Sequence, residues 1–391
     1  MKYANWNYSV PANKRKELNE KALYLVDSGL SGACQILPED IFNAYTGDGG
    51  LHGLDSGNYD NYHEYSAAKK EVENGQFFTP PALFELTISC LRLSETDLVA
   101  DLTCGMGNFF NYVPTESNVY GCEIDIKAFK IARYLYPEAN LEMTDIRTYT
   151  PGIRFDYVVG NPPFHLSWWI DDGIQMTSQL YYCVKASELL KPLGILAVIV
   201  PQSFLADDFS AGKQIKEMER RFSFLGQILL SSNVFSNMGV KDFPTKLQLW
   251  QKKSHVEGWT LHRYHTGCND VLPPDFDIQK TAQYVYEKML VLAKSELEQN
   301  RSRIILELAQ NRATSAGFDY KTRKLLYQIK THPGTKSEYA KCCEYLHRFY
   351  TETMPVNMNF DEWKKVQLTE KKFLLIYPKP LENKTENRKK M

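Results

Sequence analysis

The sequence predicts an α/β fold in which a mostly parallel sheet carries helices on both faces. Short apolar runs end in polar residues at intervals of about 20 residues, which is the spacing of βαβ units. One of these runs leads into a Gly-x-Gly turn, Gly105 to Gly107, as strands of nucleotide-binding folds do. Another run, 195–201, is apolar without a break, which is typical of a strand buried on both faces of a parallel sheet.

Composition limits the classes of protein to which the chain can belong. Its 391 residues, 43% of them hydrophobic, can form one large core and a second, smaller one. The formal net charge of −1 excludes a globally basic surface, so a nucleic acid would need a local patch. The eight cysteines form no Cys-x-x-Cys pairs that would indicate a zinc site. Because no apolar run has the length of a signal-peptide core or a membrane span, we expect a cytoplasmic protein without a membrane partner.

The first 74 residues are predicted to hold a helix and a long loop. Leu18, Ala22 and Leu25 recur at helical spacing within residues 14–28. Residues 46–65 are rich in Gly, Asp, Asn and Tyr, a composition typical of a loop. The aromatic side chains of this loop either stack on bases or, as we favour, pack onto the neighbouring domain. They are Tyr59, Tyr62, His63 and Tyr65.

A helix is predicted to follow the Phe-Phe-Thr-Pro-Pro segment at 77–81. The first turn of a helix tolerates proline, and Thr79 stands where an N-cap residue would lie. The helix is expected to end near residue 91, with one apolar stripe facing the core. The core positions are Leu83, Leu86, Ile88 and Leu91.

Three successive strand ends carry carboxylates. Asp101 precedes the glycine turn, which lacks the third glycine of a dinucleotide fingerprint, and a carboxylate there suits a cation or an ammonium group. Glu123 ends the second strand, where an acidic residue commonly binds ribose hydroxyls. Asp145 ends the third strand and can accept a hydrogen bond from an adenine amino group. Each residue alone could equally be a helix cap, but their order along the chain favours a ligand site.

A fourth strand, 157–159, is predicted to end in a rigid corner, the Asn-Pro-Pro-Phe segment at 161–164. Proline donates no backbone hydrogen bond and fixes its own φ, so the strand cannot continue. The Asn161 amide oxygen and the Pro162 carbonyl can each accept one N–H of an exocyclic amine, while an exposed Phe164 stacks on the base. The alternative is an ordinary turn that Asn161 caps.

The residues after this corner are expected to complete the sheet. Trp168 and Trp169 are predicted to lie in a loop over the site, where they either fill the gap left by a flipped base or pack against the protein. The basic residues of a helix at 213–221 either contact phosphate or, as we favour, form a solvated face. The other predicted elements are a helix at 178–190 and strands at 195–201, 224–230 and 243–250.

The last part of the chain is predicted to be mainly helical. Lysines and arginines such as Lys364, Lys371 and Arg388 suit a surface that follows phosphates. A region of roughly 140 residues is small for reading a full DNA sequence, which predicts a separate specificity subunit or relaxed specificity. The predicted helices are 279–299, 301–313, 320–329 and 337–349, and the predicted strands are 259–264 and 373–377.

The ordered motifs at 75–81, 101–109, 123–125, 145 and 161–164 resemble those of the S-adenosylmethionine-dependent DNA adenine methyltransferases of the gamma arrangement. Type I modification subunits and type IIG enzymes have this arrangement. The resemblance covers residues 75 to 253 and implies a Rossmann-like class I methyltransferase fold. Such a fold has a mostly parallel, seven-stranded sheet, here with a smaller, mainly helical C-terminal region. His165, directly after the Pro-Pro-Phe residues, departs from this pattern. A histidine there resembles the motif of ribosomal RNA guanine methyltransferases.

The resemblance also implies roles for individual residues. Asp101, Gly105 and Gly107 would surround the methionyl group of the cofactor, Glu123 would bind its ribose, and Asp145 would bind its adenine. The implied catalytic residues are Asn161, Pro162, Pro163 and Phe164. The implied cofactor-binding residues are Phe77, Thr79, Pro80, Asp101, Thr103, Gly105, Gly107, Asn108, Glu123, Ile124, Asp145, Ile146 and Asn161, and no metal is expected.

The expected activity is methyl transfer from S-adenosylmethionine to the exocyclic amine of a flipped adenine in DNA, in a restriction-modification, mobile-element or phage context. The alternatives are an RNA adenine or guanine amino methyltransferase, a protein glutamine methyltransferase, and a binding module without turnover. DNA is the expected substrate, and a separate specificity subunit is a candidate partner. We expect an N-terminal segment at 1–74, a catalytic domain at 75–253 and a DNA-recognition region at 254–391, without nuclease activity.

Overall fold

In the computed structural model, the protein consists of two compact units, Met1–Ala293 and Lys294–Met391. The residues that the structure describes are 1–5, 10–29, 36–49, 54–73, 76–164, 166–170, 174–206, 208–236, 240, 242–253, 271–273 and 275–299. Almost all of them belong to the first unit. The predicted strand at 259–264 and all predicted elements beyond 299 lie outside the described residues.

One sheet forms the centre of this unit. Its strands are β1 (Val99–Asp101), β2 (Val119–Glu123), β3 (Asn140–Met143), β4 (Phe155–Gly160), β7 (Leu190–Pro201), β8 (Phe222–Leu230), β9 (Thr245–Lys252) and β10 (Val271–Leu272), while β5 (Ser167–Ile170) and β6 (Ile174–Thr177) form a separate hairpin. The strand order is β10-β8-β9-β7-β4-β1-β2-β3. β9 is antiparallel to both of its neighbours and all other pairs are parallel, which confirms the predicted fold class.

The sheet has eight strands rather than the predicted seven. The additional strand is β10, whose two residues pair with Leu229 and Leu230 at the edge of the sheet. Two residues are too few to show the alternation by which a strand is recognised in a sequence.

The described part of the chain contains eight α-helices, seven of which pack in three groups. They are α1 (Ala12–Ser28), α2 (Pro38–Ala44), α3 (Tyr62–Glu73), α4 (Pro81–Leu91), α5 (Ile126–Leu135), α6 (Ser178–Leu189), α7 (Asp208–Arg221) and α8 (Ile278–Val285), which continues into a π-helical turn at Tyr286–Leu290. α1 and α2 pack on α5, α4 packs on α8, and α6 packs on α7. None of the helices in the described part of the chain combines the length and the apolar character needed to cross a membrane.

The apolar stripe of α4 is buried, as the sequence predicts. Its four predicted core residues are each at most 3% exposed, so the apolar stripe of this helix faces the protein. β4 is buried along its whole length because β1 and β7 flank it on both sides. Its carboxyl end, where the Asn-Pro-Pro-Phe corner begins, therefore lies in the middle of the sheet edge.

The predicted loop at 46–65 ends earlier than expected, because Tyr62, His63 and Tyr65 belong to α3. The Asn61 side chain accepts a hydrogen bond from the Glu64 amide (3.0 Å) and donates one to the Glu64 carboxylate (2.9 Å). Asn followed three residues later by Glu is a recognisable helix-start signal, which the glycine-rich composition of the preceding residues obscured. Tyr65 packs against Tyr59 and Tyr62, so these rings contact one another, whereas the favoured interpretation places them against a neighbouring domain, and Tyr62 stays 79% exposed.

One further local prediction is wrong. The N-cap of α4 is Pro80 rather than Thr79, because two prolines already supply the fixed φ of a helix start. The glycine turn leads into a short 3₁₀ helix, Asn108–Tyr112.

Trp168 and Trp169 lie in the β5–β6 hairpin rather than in a loop. Trp168 packs edge-on against Tyr181 of α6 at 5.6 Å, whereas Trp169 is 65% exposed. The two tryptophans point in opposite directions because side chains alternate along a strand.

Candidate active site

The carboxyl ends of β1, β2 and β4 meet at one edge of the sheet, since β1 pairs in parallel with both of its neighbours. Two adjacent cavities open there and share Thr103. One is lined by Leu102, Thr103, Cys122, Glu123, Ile124, Thr144, Asp145 and Ile146. The other is lined by Phe77, Phe78, Thr79, Asp101, Thr103, Cys104, Gly105, Asn108, Phe109 and Asn161.

These cavities bring together most of the residues that the sequence predicts to bind the cofactor. Gly107 and Pro80 do not line either cavity. Gly107 instead makes room for its neighbours, because a Cβ atom there would lie 2.6 Å from Phe110 Cδ2. Its φ of 86° also lies in the region that glycine adopts most easily.

Asp101 ends β1 as a buried carboxylate that is 2% exposed. Its Oδ1 accepts a hydrogen bond from the Thr103 amide at 3.1 Å. Burial raises the pKa of Asp101 to about 7, while the Thr103 amide and the Tyr182 hydroxyl lower it and the charge of Glu123 adds to the rise. A carboxylate so costly to ionise is well suited to receive a cationic group of a ligand.

Glu123 ends β2 and binds the backbone of both adjoining turns. Its Oε2 accepts from the Gly105 amide at 2.7 Å, and its Oε1 accepts from the amides of Ile124 and Asp125 at 2.8 Å. Burial raises the pKa of Glu123, and these three amide hydrogen bonds oppose the rise. One side chain thus connects the glycine turn to the tip of the second strand.

Asp145 follows β3 and already has a cationic partner. Its carboxylate accepts from Arg147 Nε at 3.0 Å and from Arg147 Nη2 at 2.6 Å. The hydrogen bond with the Arg147 side chain lowers the pKa of Asp145. A ligand amino group at this position would share the carboxylate with Arg147.

Asn161 begins the corner after β4 and presents an acceptor without a partner. Its Nδ2 donates to the Phe77 carbonyl at 3.0 Å, which orients the amide. Its Oδ1 is buried and has no hydrogen-bond partner among the described residues. A buried acceptor without a partner is costly, so this oxygen is suited to bind an N–H group of a ligand.

The sequence predicts an exposed Phe164, but in the structure its ring is buried. It is 7% exposed and stacks on Phe243 at 5.3 Å with an interplanar angle of 28°. Phe235 packs edge-on against it at 6.2 Å. Because β9 is antiparallel to β7, the chain entering β9 lies at the same sheet edge and covers the ring.

The Pro-Pro pair inside the corner is held by the start of α6. Ser178 Oγ donates to the Pro163 carbonyl at 2.5 Å, and the Ser178 amide donates to the Leu166 carbonyl at 2.9 Å. The base of the β5–β6 hairpin is therefore attached to the corner.

Tyr182 of α6 was not indicated by the sequence as a site residue. Its hydroxyl donates to the Val159 carbonyl at 2.5 Å and accepts from the Leu102 amide at 3.2 Å. A Cβ atom at Gly160 would lie 2.1 Å from this hydroxyl, so only glycine fits there. The tyrosine connects the tips of β1 and β4, but in the sequence it looks like any apolar-face residue of a helix.

Comparison with known proteins gives the family. The sequence model of the N-6 DNA methylase family matches residues 57–255, about half of the chain. The chain belongs to the N-6 DNA methylase family. This membership confirms the resemblance that the ordered motifs show, and the matched residues include the complete linings of both cavities.

Two curated relatives of this N-6 DNA methylase come from viruses. Defense against restriction protein B of Escherichia phage P1 is 26% identical over 242 residues, which are 58% of this chain and 10% of that protein. Type II methyltransferase M.CvrRI of Paramecium bursaria Chlorella virus XZ-6E is 25% identical over 158 residues, which are 38% of this chain and 41% of that protein. The chain thus spans less than half the length of either relative.

Among solved structures, the type I restriction-modification system methyltransferase subunit from Streptococcus thermophilus is 16% identical, with a TM-score of 0.39 over 65% of this chain and 68% of that one.

In the described part of this chain, no group of three or more His, Cys, Asp and Glu side chains is arranged to hold a metal ion.

Proposed function

We propose that this N-6 DNA methylase transfers the methyl group of S-adenosylmethionine to the exocyclic amine of an adenine in DNA. The observation that carries the proposal is the buried Asn161 Oδ1, which lacks a hydrogen-bond partner among the described residues and lies beside the cavity bounded by Asp101 and Gly105. The family and the glycine turn support the choice of cofactor. The name of the chlorella virus relative, a type II methyltransferase, supports the choice of reaction.

The residues that line the two cavities fit S-adenosylmethionine in chemistry. Thr103 Oγ1 is buried on the wall that both cavities share, without a partner in the described part of the chain, and can bind a polar atom of the cofactor. Asp101 would hold the methionine ammonium and Glu123 the ribose, while Asp145 and Ile146 would hold the adenine.

The protein contributes mainly orientation to the reaction. When bound, S-adenosylmethionine would supply a methyl group on a sulfonium, an activated donor. The carbon–sulfur bond would break as the nitrogen–carbon bond forms, the neutral thioether would leave, and one proton of the amine would pass to water. Asn161 Oδ1 accepts one N–H of the target amine, and the Pro162 carbonyl accepts the other, so that the nitrogen electron pair faces the methyl group. Phe164 and Phe243 form an apolar wall of the base site and help to exclude water.

Replacing Asn161 by Ala tests this proposal. We expect methyl transfer to fall by at least about 1,000-fold, because the amine loses its orienting acceptor. Affinity for S-adenosylmethionine should stay within about threefold of wild type. The reason is that Asn161 Nδ2 binds the Phe77 carbonyl and Oδ1 is assigned to the target amine, so neither atom is assigned to the cofactor. Transfer of tritiated methyl groups and calorimetry measure the two quantities. Asn140→Ala on the edge strand β3 is the control, and wild-type turnover in Asn161→Ala would contradict the proposal.

The acceptor is tested in the same assay with DNA, RNA and protein substrates. We expect labelled DNA, with 6-methyladenine in its digest. Label in RNA or in glutamine would favour the alternative enzymes, and binding without any label would favour a module without turnover. Sequencing with modification detection, on DNA from cells that express the protein, would give the recognition site.

We also propose a catalytic domain at 75–253, preceded by a helical segment and followed by a DNA-recognition region. Assembly with a separate specificity subunit is proposed as well, because the ordered motifs resemble those of type I modification subunits. Purification of the tagged protein from its native cells, followed by mass determination of the complex, tests whether such a subunit is present.

A further inference from the structure

Within the N-terminal segment, residues 12–29 and 36–49 pack against the wall of the cavity that Asn161 lines. These residues precede the residues 57–255 that the family model matches. The contact is made by the loop at 45–49, which follows α2. Tyr45 of this loop is 2% exposed, and its ring lies 5.8 Å from the ring of Phe78. Phe78 in turn lines the cavity next to Gly105.

The Phe78 ring is enclosed between two glycines. A Cβ atom at Gly47 would lie 2.9 Å from Phe78 Cζ, and one at Gly105 would lie 3.1 Å from Phe78 Cε1. Gly47 belongs to the N-terminal loop, whereas Gly105 belongs to the turn after β1. The ring is therefore in contact with both the N-terminal loop and the glycine turn.

The adjoining residues Gln76 and Phe77 are in contact with the same loop. A Cβ atom at Gly49 would lie 1.8 Å from the Gln76 carbonyl oxygen, so the two backbones touch. The Phe77 carbonyl accepts the hydrogen bond from Asn161 Nδ2 at 3.0 Å. Residues 76–77 therefore contact the loop and also orient the Asn161 amide.

Two buried side chains of α1 hold the loop in this position. Arg15, 2% exposed, donates to Thr46 Oγ1 at 3.0 Å and to the Gly49 carbonyl at 2.6 Å. Asn19, 3% exposed, donates to the Gly47 carbonyl at 2.7 Å and accepts from the Thr46 amide at 2.9 Å. Buried polar groups that are all directed at one loop make its conformation strongly preferred.

A second attachment joins the loop to the tip of β2. Asp48 forms an ion pair with Lys127 of α5 at 2.8 Å, two residues after Asp125, the N-cap of that helix. Because this pair is exposed, it contributes little to stability, and the buried contacts of α1 dominate.

We propose that the N-terminal segment is part of the cofactor site, with Arg15, Asn19 and Gly47 as positioning residues that hold Phe78 against the glycine turn. This inference rests on the proposed function, since it assigns these residues to the binding of S-adenosylmethionine. They do not touch the cofactor themselves. They act through Phe78 and Gly105 on one side and through Phe77 on the other.

Gly47→Ala is the test, and Gly29→Ala is its matched control. Both glycines have positive φ, 70° and 65°, so alanine is strained at either position. A Cβ atom at Gly29 meets nothing within 4 Å, whereas one at Gly47 would push Phe78. Both variants should lose thermal stability because of the strained φ, and Gly47→Ala should lose more because its Cβ atom also displaces the Phe78 ring.

Affinity for S-adenosylmethionine, measured by calorimetry without DNA, should separate them. Gly47→Ala should bind at least about tenfold more weakly than wild type, and Gly29→Ala should stay within about twofold. In a Phe78→Leu background, Gly47→Ala should cost no more than about threefold, because the ring that carries the effect is gone. Equal affinities in the two alanine variants, or an undiminished loss in the Phe78→Leu background, would overturn the inference.

Asn19→Ser provides a second measurement in case Gly47→Ala does not fold. It removes both Asn19 contacts to the loop without adding an atom, and it should also weaken S-adenosylmethionine binding, by about fivefold. Unchanged affinity in this variant would overturn the inference. Wild-type protein that does not bind S-adenosylmethionine would overturn the proposed function, whereas wild-type binding with equal losses in all variants would overturn only this inference.

Discussion

Asp101 and Asp145 end strands of the same sheet, yet their environments shift the pKa of the two carboxyl groups in opposite directions. Burial at the centre of the sheet raises the pKa of Asp101 to about 7, and it also raises the pKa of Glu123. The hydrogen bond to Arg147 at the sheet edge lowers the pKa of Asp145. β1 has neighbours on both sides, whereas β3 has one, and this difference decides how much water reaches each carboxylate.

The carboxylates at the centre of the sheet therefore differ in role from the carboxylate at its edge. The two central carboxylates are desolvated, and Glu123 also binds three backbone amides. The carboxylate at the edge already has its cation. We therefore expect the central pair to determine both the structure of the turns and cofactor binding, and Asp145 to adjust affinity only slightly.

Replacing Glu123 by Ala should have the largest effect on cofactor binding. Three amides would lose their acceptor, and we expect the free energy of unfolding to fall by about 3 kcal/mol. Affinity for S-adenosylmethionine should fall by about 100-fold, because the glycine turn loses its tie to β2. Urea unfolding and calorimetry measure these changes. Glu142→Ala, an exposed position on β3, is the control, and equal stability of the two variants would remove the distinction between centre and edge.

Replacing Asp101 by Asn should have a smaller effect on cofactor binding, and an effect on stability that depends on pH. With a pKa of about 7 in the folded protein, against 3.8 for an ordinary aspartate, the folded state keeps a proton that the unfolded chain has lost. Stability without cofactor therefore decreases as pH rises from about 4 to about 7. Asp101→Asn removes this loss.

We expect Asp101→Asn to be more stable than wild type by about 4 kcal/mol near pH 8, and the gain to disappear near pH 4. The same variant should bind S-adenosylmethionine more weakly, since the negative charge is gone. Urea unfolding at several pH values without cofactor measures the first effect. A gain of equal size at both ends of the range would show that burial does not control this carboxylate.

Replacing Arg147 by Ala should have the smallest effect. The ion pair with Asp145 is partly exposed, and such pairs contribute between about 0 and 1 kcal/mol. We expect stability to change by less than about 0.5 kcal/mol and affinity for S-adenosylmethionine by less than about threefold. The same two measurements apply, and losses as large as those of Glu123→Ala would contradict the ranking.

Much of the candidate site was predictable because it lies at strand ends. Each strand, its terminal polar residue and the following turn are adjacent in the sequence, so Asp101, Glu123, Asp145 and Asn161 could be identified one after another. Parallel pairing then requires their ends to lie at one sheet edge. The binding and catalytic roles of these residues stay predictions until the variants are measured.

The sequence by itself determined the α/β fold class, the core stripe of α4, the order of the motifs and the family. Each of these depends on residues that are close together in the chain, where periodicity and turn chemistry act. Only the tertiary structure decided that Phe243 covers Phe164, that Tyr182 joins two strand tips, and that Gly47 encloses Phe78. These contacts depend on which elements become neighbours in the folded protein, and local sequence patterns carry no record of that choice.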